Sequence, residues 1–204
     1  MKRFQDNNVL YNYTAYLSSV RLIIGLGNPG LEFYKTRHNI GFWFLDRLAD
    51  ILNIKFSFNK NFLSFYTQVC LTKNTIFLMK PMTYMNNSGE SVHSVMKFYK
   101  LEPEEILVIH DELDFMPGQF KLKKNVNHAG HNGIKSIQNS IKSQNFYRLR
   151  IGIGHPRKIG LAQEVNNFVL SPPNKKDLQS IEGVINYCCN LITQEISKKS
   201  LIKI

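Results

Sequence analysis

The 204-residue chain is poor in cysteine, in acidic residues and in long apolar runs. Its three cysteines, Cys70, Cys188 and Cys189, form neither an even framework nor a CxxC pair. That excludes a disulfide scaffold and fits a reducing compartment. No uninterrupted apolar stretch approaches the roughly 20 residues of a membrane helix. The N-terminus, MKRFQDNNVLYNYTAYLSSV, carries charge without the apolar centre of a signal peptide. A soluble, cytoplasmic protein with no membrane partner is expected. Serine-nucleophile elbows (G-x-S-x-G), zinc-protease helices (H-E-x-x-H) and phosphate-binding P-loops are all missing, so those chemistries lose their usual signatures. Acids are the other shortfall: 15 Asp and Glu stand against 26 Lys and Arg, a net charge of +11. Such a field attracts a polyanion, and nucleic acid is the leading partner class. A general lysine bias would give the same balance, because net charge speaks to association and not to fold.

What is present points to one globular domain. Hydrophobic residues make up 43% of the chain, with 14 Phe among them, enough for a full core. Helical periodicity marks segments from about Ile40 (Phe44, Leu48, Ile51, Leu52), after Asn87 (Val92, Val95, Met96, Tyr99), after Asn132 (Ile134, Ile137, Ile141), and near the C-terminus (Ile181, Val184, Ile185, Cys188, Ile192). Short apolar or alternating runs predict strands at Val20–Leu26, Leu63–Leu71, Thr75–Met79, Ile106–Ile109, Gln119–Lys123 and Tyr147–Ile153. Strands and helices alternate, which predicts an α/β fold: a single domain with a twisted mixed β-sheet flanked by α-helices. The sequence shows no internal repeat and no low-complexity tract.

The most informative stretch is GLGNPGLEFYKTRHN, Gly25 to Asn39. A glycine-rich turn leaves a strand and delivers Asn28 and then His38, at the carboxyl end where open sheets bind ligands. Gly25, Gly27 and Gly30 are expected to supply backbone angles closed to other residues. The same glycines match the G-x-G-x-x-G dinucleotide fingerprint. Its context fails, because Pro29 and the polar residues after it delay the helix, and Asp46 and Asp50 fall inside that helix instead of ending a second strand. Further polar groups collect at other strand ends: His110, Asp111, Glu112 and Asp114 in VIHDELD, Asn86 in KPMTYMN, and His131 and Asn132 in HAGHNG. One histidine, one acid and several amides suit a general base that takes a proton from water while amide donors hold a carbonyl.

Taken together, GLGNPG, TRHNIGF, KPMTYMNNSG, HDELD, GHNG and RLRIGIGHP resemble, in order, the motifs of the bacterial-type peptidyl-tRNA hydrolases. These enzymes cleave the ester that joins peptide to tRNA and so recycle tRNA from prematurely dropped peptidyl-tRNAs. The likeness runs from about Arg21 into the C-terminal helix. It implies a cytoplasmic monomer that needs no cofactor, no metal and no obligate protein partner, with peptidyl-tRNA as its substrate. It also implies residue roles: His38 as the catalytic base, Asp111 as the acid that orients it, and Asn28 as the third catalytic residue. Asn86, Asn132, Met85 and Phe33 fall on substrate-binding positions, and Lys123 and Arg150 on those that bind a tRNA phosphate.

Several of these residues have plainer readings. Asn86 and Asn132 stand where helix caps are favoured. His128 and His131 form an HxxH pair with no cysteine or evident third ligand nearby, so no zinc site is expected. Three departures from the family pattern stand out. Phe33 replaces a frequent tyrosine, and Asn125, Val126, Asn127 and Ala129 replace a run of glycines before GHNG, which should stiffen or reshape that loop. Residues 1–19 also precede the usual start, as a disordered tail or through an upstream start codon, leaving 20–204 as the catalytic domain. A non-catalytic RNA-binding module of the same fold is the alternative. The intact His38, Asp111 and asparagine set argues against it.

Overall fold

The structure is a computed structural model, described here for residues 18–71 and 75–201. Of the extension assigned to residues 1–19, residues 1–17 lie outside the described part.

Seven strands form one mixed sheet in the order β2-β3-β4-β1-β5-β7-β6. They are β1 (Leu22–Gly25), β2 (Ser57–Asn59), β3 (Ser64–Cys70), β4 (Thr75–Pro81), β5 (Ile106–Glu112), β6 (Phe120–Lys124) and β7 (Tyr147–Gly152). The centre is parallel, with β1 between β4 and β5 and with β7 beside β5. Antiparallel pairs β2–β3, β3–β4 and β6–β7 finish the two sides. Burial follows position. Every residue of β1, β5 and β7 is buried, as expected of central strands covered on both faces, whereas β6 (FKLKK) alternates.

Helices α1 (Ile40–Leu52) and α5 (Lys175–Leu201) cover one face, and α2 (Ser88–Tyr99) and α3 (Asn132–Ile141) the other. Phe44, Leu45 and Leu48 of α1 meet Ile181, Val184 and Cys188 of α5 over Ile23, Leu107, Ile109 and Leu149. Val92, Val95 and Met96 of α2 join Ile134 and Ile137 of α3 over Ile24, Met79, Ile106 and Val108. Consecutive strand residues thus feed opposite cores, and the i, i+3, i+4 spacing of each helix supplies the matching stripe.

The predicted helices and long strands are present, with three corrections. Strand β5 continues three residues past Ile109, so His110, Asp111 and Glu112 belong to the strand itself. Two elements were not foreseen: the edge strand β2 and a five-residue helix, α4 (Val165–Val169). Third, of the glycines expected to need unusual angles, only Gly30 has positive φ, at 110°. Gly25 and Gly27 are required for space: a Cβ on Gly25 would lie 2.1 Å from the Gly41 carbonyl oxygen, and one on Gly27 would lie 2.7 Å from the Phe42 ring.

Candidate active site

That glycine contact sets the depth of the site. Gly41 is equally constrained, since a Cβ there would sit 2.2 Å from Leu26 N and 2.5 Å from Ile109 O. The first turn of α1 therefore lies directly on the ends of β1 and β5, and the 3-10 turn before it (Arg37–Asn39) brings His38 to the sheet. Asn39 locks the approach by reciprocal bonds: Asn28 N–H donates to Asn39 Oδ1 and Asn39 Nδ2 donates to Asn28 O, each at 2.9 Å.

His38 and Asp111 meet as the family resemblance implies. His38 Nδ1 lies 2.9 Å from Asp111 Oδ1 and 3.0 Å from Oδ2, and both side chains are buried. An ionised carboxylate can only accept, so the imidazole proton sits on Nδ1 and Nε2 keeps a lone pair. Burial alone would lower the His38 pKa, but the charge of Asp111 and its hydrogen bond outweigh it, and the value is raised above 6.5. Burial works to raise Asp111; the imidazoles of His38 and His131 hold it well below the usual carboxylate range.

His131 is the residue that sequence reasoning misplaced. Its Nε2 lies 3.0 Å from Asp111 Oδ1, while its Nδ1 accepts the Ile134 N–H at 3.4 Å and caps α3. His131, not Asn132, is thus the cap of this helix, and Asn87 at the start of α2 makes no side-chain cap bond. The HxxH pairing does not form a unit: His131 turns to Asp111, and His128 Nδ1 accepts from Gly130 N at 3.1 Å. Among the described residues, His38, Asp111 and His131 form a group that could hold a metal ion. His110 backs the group. Its Nδ1 donates to Asp111 O at 2.6 Å, its ring meets that of His131 edge-on at 4.7 Å, and burial keeps it neutral.

A cavity of about 270 Å³ opens onto this cluster, lined by His38, Asp111, His131 and Asn132 and also by Val165, Asn166 and Val169 of α4. Arg37 ties the two sides together. Its Nη1 faces Phe168 O, Ser171 O, Ser171 Oγ and Pro172 O at 2.8–3.2 Å, and its guanidinium lies 4.0 Å over the Phe168 ring. The motif TRHN contained Arg37, but nothing in its spacing pointed to this anchor.

The other expected site residues are spread more widely. Asn28 Oδ1 accepts from Met85 N at 2.8 Å, so the amide hydrogens on Nδ2 are what its side chain has left to offer. Met85 is buried rather than lining the cavity, its sulfur filling the space beside Gly133. Asn86 and Asn132 are exposed, and of the two only Asn132 lines the cavity. Phe33 is half-buried and edge-on to the exposed Tyr84, 6.5 Å between centroids. Lys121, Lys123, Arg148 and Arg150 share one sheet face, with Lys121 opposite Arg150 and Lys123 opposite Arg148. Lys123 is exposed, whereas Arg150 is buried and places Nε and Nη2 on Glu112 Oε2, each at 2.7 Å. Arg148 donates to Asn127 O at 2.9 Å, and burial together with Arg150 lowers its pKa to about 10.

The loop that replaces glycines takes up glycine-like angles. Asn125 and Ala129 have φ of 56° and 48°, and Gln138 Nε2 pins Val126 O at 3.1 Å.

A buried His–Asp pair opening into a cavity at the end of a parallel strand suits a hydrolase on an α/β sheet. Comparison with known proteins narrows this class. Residues 22–203 match the sequence model of the peptidyl-tRNA hydrolase family. Peptidyl-tRNA hydrolase of Bordetella parapertussis is 52% identical over 176 residues, covering 86% of this chain and 82% of that protein. The enzyme of Nitrosomonas europaea is 46% identical over 168 residues, covering 82% and 85%. Among solved structures, peptidyl-tRNA hydrolase from Acinetobacter baumannii superposes with a TM-score of 0.80 at 39% identity, covering 91% of this chain and 97% of that one. The chain belongs to the peptidyl-tRNA hydrolase family.

Proposed function

We propose that this member of the family hydrolyses the ester between peptide and tRNA with His38 as general base. His38 Nε2 takes a proton from water while the resulting hydroxide attacks the ester carbonyl carbon. Asp111 holds the imidazole so that Nε2 faces the reaction and stabilises the imidazolium that forms. The tetrahedral intermediate then collapses, the carbon–ribose oxygen bond breaks, and His38 returns its proton to the leaving oxygen. Amide hydrogens of Asn28 and Asn132 are suited to the carbonyl oxygen as it gains charge. Asn86, Met85 and Phe33 belong to the substrate side, with Met85 acting from beneath. One base suffices because an ester expels an alkoxide-like oxygen, whereas an amide needs its nitrogen protonated first.

The observation that carries this reading is the 2.9 Å contact between His38 Nδ1 and a buried carboxylate, which leaves the opposite nitrogen as the base. The net charge of +11 and the Lys123–Arg150 face supply the attraction for tRNA phosphate. The enzyme is read as a cytoplasmic monomer with residues 20–204 as its catalytic unit. No helix among the described residues is long and apolar enough to cross a membrane. Incubating purified protein with a peptidyl-tRNA should release free peptide and leave the tRNA intact. Tight tRNA binding without peptide release would support the RNA-binding module instead.

A further inference from the structure

Asp111 Oδ1 is shared by two imidazole nitrogens, His38 Nδ1 at 2.9 Å and His131 Nε2 at 3.0 Å. One donor atom from each of these residues lies within 4.8 Å of the others. Two imidazoles and a carboxylate are the ligand types of open zinc sites, in which water fills the fourth place. A tetrahedral zinc with bonds of about 2.0–2.1 Å sets its donors about 3.3 Å apart. Two of the three spacings here need open only a few tenths of an ångström. The cavity beside the cluster gives an ion a route and room for the water. Asp111 also has little solvent to share its charge with, since it is 3% exposed.

We propose that His38, Asp111 and His131 form an inhibitory site for Zn²⁺ or a similar borderline-soft divalent cation. The inference rests on His38 being the base. Zinc needs a lone pair on His38 Nδ1, where the proton now sits. When a neutral His38 binds through Nδ1, that proton leaves and one is taken up at Nε2, with no net change in proton count. The base then has no lone pair to offer water, so the metal quenches catalysis from the side of the ring away from the substrate. His131 changes tautomer in the same sense. Zinc takes Nε2, the proton moves to Nδ1, and the Ile134 N–H loses its acceptor. The enzyme would work without metal and be stopped by it.

Chelator-treated full-length protein titrated with zinc sulfate in a calorimeter tests this, with peptide release from peptidyl-tRNA followed in parallel. One zinc should bind per chain, peptide release should fall in step with occupancy, and EDTA should restore it. The Ile134 amide resonance should shift on binding, an effect confined to a site that includes His131. His131→Phe should weaken zinc binding by at least roughly tenfold, the smaller cost of losing even an outer-shell partner. If that variant does not fold, His131→Asn, whose side chain can still cap α3, replaces it. His128→Ala should bind zinc as the parent does. Absence of saturable binding overturns the proposal, as does binding that survives loss of His131 or disappears with His128. Zinc bound at one site with undiminished turnover overturns the inhibition, and counts against His38 as the base rather than against the site.

Discussion

Gly25 and Gly41 touch backbone to backbone, so close that a methyl group on either would overlap the other's segment at little more than 2 Å from its nearest atom. Gly41→Ala should therefore act on both fold and turnover. Overpacking a core usually costs roughly 1–3 kcal/mol. Here the obstructing atoms are main chain and cannot rotate away, so the loss should reach the top of that range. A urea unfolding midpoint reports the stability, and residual turnover in the folded fraction reports how far the turn bearing His38 has lifted from the sheet. A variant as stable and as active as the parent would contradict the packing.

His38→Ala should remove the general base and lower turnover by about 10²–10⁴, while binding of peptidyl-tRNA persists. The pH profile carries a second check. A base works when neutral, and the fraction of neutral His38 rises with pH through a pKa held above 6.5. The kcat/KM profile should therefore climb through a midpoint above 6.5, the ordinary imidazole value. Asp111→Asn removes the charge that raises that value and leaves the burial that lowers it, so the midpoint should move down as the maximum rate drops. An unmoved midpoint would mean that another acid orients the ring.

The basic face can be separated from the chemistry, but not with Arg150→Ala alone. That change would strand the Glu112 carboxylate that Arg150 holds, and breaking a buried pair costs roughly 3–5 kcal/mol. Lys123→Ala combined with Arg150→Gln and Glu112→Gln avoids it. Affinity for peptidyl-tRNA should fall. The slope of log affinity against log salt should become shallower by about 0.9 per lost duplex contact, or 0.7 on a single strand. Cleavage of a short peptidyl-adenosine ester, which lacks the remote phosphate, should suffer far less. An unchanged salt slope would place the phosphate contacts elsewhere.

Ala129 has φ of 48°, a region that costs a non-glycine residue roughly 1–2 kcal/mol. Ala129→Gly should relieve that strain and offset it with a more flexible unfolded chain, for a net gain near or below about 1 kcal/mol. Thermal unfolding decides the sign, and a clear loss of stability would show that the loop is unstrained.

Much of this architecture was legible because it repeats. The apolar periodicity of α1, α2, α3 and α5 and the buried runs of β1 and β5 are long enough to be read, and the motif order placed His38 and Asp111 before any coordinate did. What escaped was short or non-local. Helix α4 spans only five residues, too few for a period to declare itself, and β2 is a largely exposed three-residue edge. His131 was read with His128 because they are neighbours in sequence, yet its partner is Asp111, brought close by the path through β6 into α3. Gly25 and Gly27 were correctly marked as special and given the wrong reason, since crowding between segments leaves no trace in local spacing.

Arg37 gives the cavity a property that its volume does not convey. The residue preceding His38 grips the backbone at 168–172, so the segment bearing His38 and the cavity wall contributed by α4 are fastened at one point. A substrate cannot push that wall outward without pulling on the histidine proposed to activate the attacking water. Selection for wider side chains on the peptide would then have to act elsewhere, on Asn132 or the 125–130 loop, where the rim is tethered less directly to His38.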